Sequence, residues 1–246
     1  MRAALLREFH GDLVIEDISV AAPDSHEVLV RVAASGVCHT DRTMQLGAQA
    51  LPLPQVLGHE VAGVVERVGS DVTYVRPGDR VVLCASAFCG QCEWCMRGQL
   101  QHCENKNRTR AAGRDPRLHD IAGNEAHAFV GIGGFAEQVL VHESSLVTIP
   151  AEMPFDRASL LGCAVITGVG AVVNAAKVAP GQSVVVIGCG GVGLNAVQGA
   201  RLAGAGRIIA VDRQPSKLAL ARRFGATDVI DASAVDPVEA VRELTS

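Results

Sequence analysis

Ser183-Val184-Val185-Val186-Ile187-Gly188-Cys189-Gly190-Gly191-Val192-Gly193 decides the fold of the second half of this chain. Residues 184–187 are a continuous apolar run, the pattern of a strand buried on both faces. Glycines follow at once, and residues 192–203 have helical periodicity. Residues 207–211 then read as a second buried strand ending at Asp212, 217–224 as a helix, 228–230 as a third strand and 238–244 as the start of a third helix. This βαβαβα order predicts a parallel sheet with right-handed crossovers. In that context the glycine turn acquires a chemistry. Gly188 permits the tight turn, Gly190 lets the backbone approach a pyrophosphate, and Gly193 lets helix and strand pack closely. Gly191 and Val192 lie within the same turn, at a helix N-terminus that offers N–H groups to an anion. Asp212 stands 19 residues past Gly193. A carboxylate there bonds adenosine ribose hydroxyls and repels a 2′-phosphate, so the expected cofactor is NAD. The neighbouring Arg213 is the residue that would partly accommodate such a phosphate.

Upstream of residue 150 the pattern differs. Residues 2–6, 13–18 and 27–33 alternate like short strands, with Pro23-Asp24 as a turn. Residues 40–46 suit a short helix closed by Gly47. Residues 60–68 read as a strand ended by Gly69-Ser70-Asp71, and 80–83 as another after the turn Pro77-Gly78-Asp79. A polar stretch runs to about Gly131, and 135–141 and 146–149 resume as strands. Many short strands imply a β barrel or partly open sandwich. Residues 157–163 and 165–178 read as helices before the turn Pro180-Gly181. The expected domains are 1–164, all-β, and 165–246, a doubly wound α/β domain of three βα units, which the resemblance described below makes incomplete. No internal repeat is evident.

The chain has 246 residues, 48% hydrophobic and 20% charged, with a net charge of −4. Such a chain builds a packed core, and wholesale disorder is excluded. Its charge argues against nucleic acid as a partner. Lys106, Arg108, Arg110, Arg114 and Arg117 form a basic cluster, read as a solvated loop in preference to a phosphate patch. The apolar start is too short for a signal peptide. The apolar stretch 164–178 is broken by Thr167, Gly168, Gly170, Asn174 and Lys177, so no membrane span is expected, and the location expected is cytoplasmic. Eight cysteines without an export signal point to metal and away from disulfides. Cys89, Cys92, Cys95 and Cys103 put four thiols in one short loop, with Gly90 and Gly98 to let it wrap. Four thiolates close a tetrahedral Zn²⁺ site and leave no open position, so this zinc is structural. Cys84 reads as a core thiol.

Cys38-His39-Thr40-Asp41 carries a different chemistry. A thiolate can hold a metal, an imidazole can meet an anion, a hydroxyl can take a proton from an alcohol, and a carboxylate can steer a neighbouring ligand. Alone the stretch decides little, because a single cysteine is commonly a small buried apolar residue. Gly58-His59-Glu60 and Gly162-Cys163 supply further donors.

Taken together, the stretch from Gly36 to Asp41, Gly58-His59-Glu60, the four-cysteine loop, Gly162-Cys163 and the glycine turn with its acid resemble a zinc-dependent medium-chain alcohol dehydrogenase along the whole chain. The resemblance implies a GroES-like β domain followed by a Rossmann-type cofactor domain. It implies that Cys38, His59 and Cys163 hold a catalytic zinc with a fourth position open, while Asp41 and Glu60 stand behind, orienting His59 and tuning the metal's charge. His39 is expected at the cofactor pyrophosphate, Thr167 and Val192 at the nicotinamide, and Lys217 beside Asp212 at the ribose. The implied reaction is oxidation of a primary or secondary alcohol to aldehyde or ketone with hydride transfer to NAD, Thr40 accepting the proton. One alternative is a formaldehyde–thiol adduct as substrate; another is a zinc-binding polypeptide without catalysis. The implied partner is a small alcohol or aldehyde, with no membrane or nucleic acid, and the full-length form is expected to be a homodimer or homotetramer. Two departures stand out. Many relatives carry a histidine five residues after the first cysteine ligand, where this chain has Thr43, which cannot buffer protons near neutrality. The chain also stops at Leu244-Thr245-Ser246 within a helix, so a fragment is expected, with strand 184–187 left as a sheet edge.

Overall fold

The structure, a computed structural model, describes residues 1–106, 110 and 113–246. Arg108 of the basic cluster lies outside the described residues. The chain divides into two compact units, Met1–Cys163 and Ala164–Ser246.

In the first unit β1 (Arg2–Leu6) and β2 (Leu13–Asp17) pair antiparallel, followed by β3 (Ser19–Val20) and the long β4 (Glu27–Gly36). The short helix α1 (His39–Gln45) precedes β5 (Gln55–Val56), β6 (Glu60–Val68) and β7 (Arg80–Leu83). A turn of helix, α2 (Glu93–Met96), lies in the cysteine loop, and β8 (Leu118–His119), β9 (Glu125–Ala128), β10 (Gln138–His142) and β11 (Leu146–Thr148) follow. Among the described residues these strands form two sheets, ordered β2-β1-β5-β9-β8-β3 and β10-β4-β6-β7-β11. Val28 and Val30 of β4, Val61 and Val65 of β6, Val81 and Leu83 of β7 and Val139 and Val141 of β10 interlock as one buried cluster. Full burial of each such side chain is worth about 1.5–3 kcal/mol, and that burial pins the register of β4 between its neighbours.

Two expectations about residues 104–131 need correction. The stretch read as polar loop contains β8 and β9, strands of two and four residues, too short to show a period. The basic residues are not all solvated. Arg110 and Arg117 donate to the buried Glu27 carboxylate, with Arg117 Nε at 2.8 Å, and Arg114 pairs with Asp24 at 3.2 Å. Lys106 Nζ donates to the Gln101 carbonyl at 2.8 Å. A buried carboxylate needs such partners, and the segment folds back to supply them.

A helical run then covers Phe155–Ala175. It opens with α3 (Phe155–Leu160), passes a π-helical turn at Leu161–Val165, continues as α4 (Ile166–Gly170) and ends in a second π-helical turn at Ala171–Ala175. With 21 residues and a mean hydropathy of 1.8, it is long and apolar enough to cross a membrane by length and composition. The run begins nine residues before the stretch 164–178 and adds Phe155, Leu160 and Leu161 to it. The structure gives it contacts with its own chain. A Cβ on Gly162 would lie 1.9 Å from the Leu83 carbonyl oxygen, so only glycine lets this helix rest on the end of β7. Val172 packs with Val186 and Val197 in the second core.

The second unit is a three-stranded parallel sheet, ordered β12 (Ser183–Ile187), β13 (Arg207–Asp212), β14 (Asp228–Asp231). The helices α5 (Gly191–Leu202), α6 (Pro215–Phe224) and α7 (Pro237–Thr245) follow the three strands in turn. β13 is buried along Ile208–Val211, as its apolar run predicts. β12 departs from burial on both faces: Val185 is 39% and Ile187 83% exposed. These two residues share one face of the strand, which stays open, and among the described residues β12 pairs only with β13, so it is also an edge.

Candidate functional site

Three local devices bring Cys38, His59, Glu60 and Cys163 together. β4 ends at Gly36, and Cys38 caps the N-terminus of α1. Asp41, in the first turn of that helix, reaches back so that its Oδ2 accepts the Cys38 N–H at 2.9 Å. Its Oδ1 accepts the Gly58 N–H at 3.0 Å and lies 3.2 Å from His59 Nδ1. One buried carboxylate thus ties the start of α1 to the turn before β6. Cys163 arrives on the π-helical turn, the kind of insertion that re-aims a side chain at functional sites. The ligand atoms of Cys38, His59, Glu60 and Cys163 all lie within 4.8 Å of one another.

The charges explain what this cluster suits. Burial alone would lower the His59 imidazolium, but hydrogen bonds to Asp41 and Cys163 outweigh it and raise its pKa. Burial pushes the Cys38 thiol up, and hydrogen bonds from Thr40 and His59 overcome it and bring it down. His59 draws the Cys163 thiol down, while burial and the charges of Cys38 and Glu60 prevail and raise it. Two half-buried thiols, a buried imidazole and two buried carboxylates converge, an arrangement that favours a cation at its centre. With Nδ1 of His59 turned to Asp41, Nε2 is left for a metal. The donor set of sulfur and nitrogen fits Zn²⁺. The Glu60 carboxylate lies within the same 4.8 Å group. Thr40 Oγ1 lies 3.5 Å from Cys38 Sγ. The Thr43 hydroxyl donates to the His39 carbonyl at 3.0 Å, so it is spent on the helix backbone. His39 is exposed at the start of α1.

Cys89, Cys92, Cys95 and Cys103 form the second group, again with all sulfurs within 4.8 Å. The Cys92–Cys95 and Cys92–Cys103 separations are 3.6 and 3.9 Å. Sulfurs bound tetrahedrally at about 2.3 Å lie about 3.8 Å apart, whereas a disulfide would bring them to about 2.05 Å. All eight cysteines are free. Backbone N–H groups of Cys95 and Glu104 lower the Cys92 thiol, and burial raises that of Cys95. Trp94 staples the loop, donating to Glu104 at 3.0 Å and lying 5.3 Å from the His102 ring. Cys84 is half-buried and outside both groups.

In the second unit the glycine turn joins β12 to α5. A Cβ on Gly193 would sit 1.8 Å from the Gly188 carbonyl oxygen, so the first turn of α5 can close only with glycine there. Around Gly190 there is open space, as a close ligand approach requires. Asp212 at the end of β13 accepts the Cys189 N–H at 2.8 Å and the Gln214 N–H at 2.9 Å. The Cys189 N–H and then that of Gln214 hold its pKa below the ordinary value. Its carboxylate is therefore fixed beside the turn. Lys217 stands close enough to add to that lowering, Arg213 is exposed on the same loop, and Thr167 is exposed on α4. The sequence reading missed Phe129, whose buried ring lies 5.6 Å from that of His59; a lone phenylalanine in a polar stretch carries no signal.

The family model described as the alcohol dehydrogenase GroES-like domain matches residues 24–151, and that described as zinc-binding dehydrogenase matches residues 191–246. S-(hydroxymethyl)glutathione dehydrogenase of Escherichia coli O157:H7 is 46% identical over 239 residues, covering 96% of this chain. The chain spans 65% of the length of that relative. Among solved structures, the alcohol dehydrogenase zinc-binding domain protein of Burkholderia ambifaria superposes with a TM-score of 0.92 at 42% identity, over 99% of this chain and 67% of its own. Benzyl alcohol dehydrogenase of Acinetobacter calcoaceticus gives 0.89 at 38% identity, over 99% and 67%.

Proposed function

This chain belongs to the zinc-binding alcohol dehydrogenase family, and from that premise we propose that it oxidises a primary or secondary alcohol with hydride transfer to NAD. The observation that carries the reading is the convergence of Cys38, His59, Glu60 and Cys163 within 4.8 Å. Cys38, His59 and Cys163 would hold the catalytic zinc, with Glu60 at hand as a fourth donor; Cys89, Cys92, Cys95 and Cys103 would hold the structural one. When bound, zinc supplies a Lewis acid that lowers the pKa of an alcohol, and NAD supplies the hydride acceptor.

The chain's own residues do the rest. Asp41 keeps the Nδ1 proton on His59 and so directs Nε2 to the metal. Thr40 takes the proton of the substrate hydroxyl. Thr43 cannot pass that proton on, since its hydroxyl is bonded to the His39 carbonyl, and release goes to water. Asp212, its carboxylate fixed by two backbone N–H groups, would bond the adenosine ribose and disfavour a 2′-phosphate, with Lys217 and Arg213 beside it. Gly188, Gly190, Gly191 and Gly193 would seat the pyrophosphate, and Thr167 and Val192 would face the nicotinamide. The whole protein is proposed to act in the cytoplasm as a homodimer or homotetramer.

A second substrate reading, a formaldehyde–thiol adduct, is favoured by the 46% identity to S-(hydroxymethyl)glutathione dehydrogenases. The experiment is NADH formation at 340 nm with simple, benzylic and S-hydroxymethyl thiol alcohols. Turnover with one class assigns the substrate; no turnover with zinc and NAD bound would leave the chain a metal-binding polypeptide and sink the proposal.

A further inference from the structure

Phe129 belongs to neither metal group and to no motif, yet it meets the imidazole most central to the first. The Phe129 and His59 rings are 5.6 Å apart between centroids, with planes at 69°. Both residues are buried. A tilted pair at this separation is the favoured geometry for two aromatic rings. The Asp41 carboxylate, 3.2 Å from His59 Nδ1, fixes one atom of the imidazole. A single contact of that length tolerates some rotation of the ring about its bond to Cβ, a torsion that is intrinsically broad. Phe129 closes off that swing.

The chain holds Phe129 there at a local cost. Val130, the next residue, is left-handed, at φ 47° and ψ 27°. A β-branched residue in that region is a true outlier, and such strain persists only where the surroundings over-determine it. Here they do. The Ile132 N–H donates to the Phe129 carbonyl at 2.9 Å, which closes the turn. The Gly134 and Phe135 N–H groups donate to the Gly58 and Leu57 carbonyls at 2.8 and 2.9 Å. Gly58 has φ 88°, and a Cβ there would lie 2.7 Å from the Phe135 nitrogen. Residues 129–135 and 57–59 are thus strapped by hydrogen bonds at one end and by the two rings at the other.

We propose that Phe129, presented by the strained turn at Val130, is a positioning residue that fixes the imidazole plane of His59 so that Nε2 faces Cys38 and Cys163. Its role runs through the His59 ring that it contacts. The proposal rests on the reading that Cys38, His59 and Cys163 hold a metal. A plain core role is the competing account, since Phe129 also packs with Leu6 and Leu57.

The test compares Phe129→Met, which keeps apolar bulk, with Phe129→Tyr, which keeps the ring. Zinc release to a chromophoric chelator is followed from both sites of the whole chain, and the visible bands of the cobalt(II) form are recorded. The four-cysteine site is the internal control. Phe129→Met is expected to release zinc from the Cys38 site about tenfold faster and to shift the cobalt bands of that site. The four-cysteine site should keep its rate, and Phe129→Tyr should restore the parent behaviour. Equal acceleration at both sites would show a general packing role and overturn the proposal. So would a Phe129→Met chain with the parent rate and spectrum. A parent chain that takes metal only at the four cysteines would overturn the metal reading and this proposal together, whereas a two-metal parent with an unchanged Met variant overturns the proposal alone.

Discussion

Replacing Asp41 by asparagine should strike both the fold and the first metal group while preserving shape. The carboxylate is buried and accepts from three donors. Oδ2 takes the Cys38 N–H at 2.9 Å; Oδ1 takes the Gly58 N–H at 3.0 Å and His59 Nδ1 at 3.2 Å. Asparagine has one acceptor oxygen. Turned to Gly58 and His59, it presents its NH₂ to the Cys38 N–H, donor against donor. An unsatisfied buried N–H costs about 1–3 kcal/mol, and the two remaining bonds lose their ionic character at about 1 kcal/mol each. The expected loss in Asp41→Asn is therefore about 3–5 kcal/mol in metal-free urea unfolding. Zinc affinity at the Cys38 group should fall about 10–100-fold, because His59 is no longer polarised by a carboxylate. Both are read from one preparation, by urea titration with and without chelator and by competition against a zinc indicator. Stability within about 0.5 kcal/mol of the parent, together with unchanged zinc affinity, would show that the Asp41 carboxylate ties neither the fold nor the metal group.

Glu27→Ala should cost about 3–5 kcal/mol in urea unfolding, since it removes the buried carboxylate to which the Arg110 and Arg117 guanidinium groups both donate. Burial raises the Glu27 carboxyl, but hydrogen bonds to Arg110 and Arg117 outweigh it and hold it low. Its contribution should be complete above the ordinary carboxyl value and fade as pH falls below about 4.3, a limb that Glu27→Gln removes in pH-dependent melts. Burial holds His142 below the ordinary imidazole value, and its Nδ1 accepts the Ser144 N–H at 3.1 Å. The unfolded chain therefore binds the proton first, and stability should decline as pH falls below about 6.5, a limb that His142→Gln flattens. Cys95→Ser should lower the thermal midpoint and empty the four-cysteine site, whereas Cys163→Ser should empty the Cys38 group and leave the midpoint nearly unchanged, as metal analysis and calorimetry would record. Asp212→Ala should weaken NAD binding by about 2–3 kcal/mol and NADP binding far less, measured by titration calorimetry.

The parts of this protein legible in its sequence are those written in consecutive residues. The glycine turn between β12 and α5 was readable because strand, turn and helix are contiguous and each glycine has a local reason. The four cysteines of one loop were readable for the same cause. What was hidden depends on chain segments far apart. β5 and β8 are two residues long and exist only because neighbouring strands pair with them. Arg110 and Arg117 look like surface bases until the fold delivers the buried Glu27, more than eighty residues away. Glu60 could be placed near His59 from sequence, but its carboxylate turns into the ligand group, which only packing decides. Phe129 gives no signal at all, because its role depends on a strained neighbour and on a ring seventy residues upstream.

We propose that this one chain builds two metal sites with different donors. Diffraction from the 246-residue chain recorded at and below the zinc edge measures it directly. Two anomalous peaks are predicted, one ringed by the sulfurs of Cys89, Cys92, Cys95 and Cys103 and one held by Cys38, Cys163 and Nε2 of His59. A fully loaded crystal with a single peak at the four cysteines, and none between Cys38 and His59, would rule out the second site.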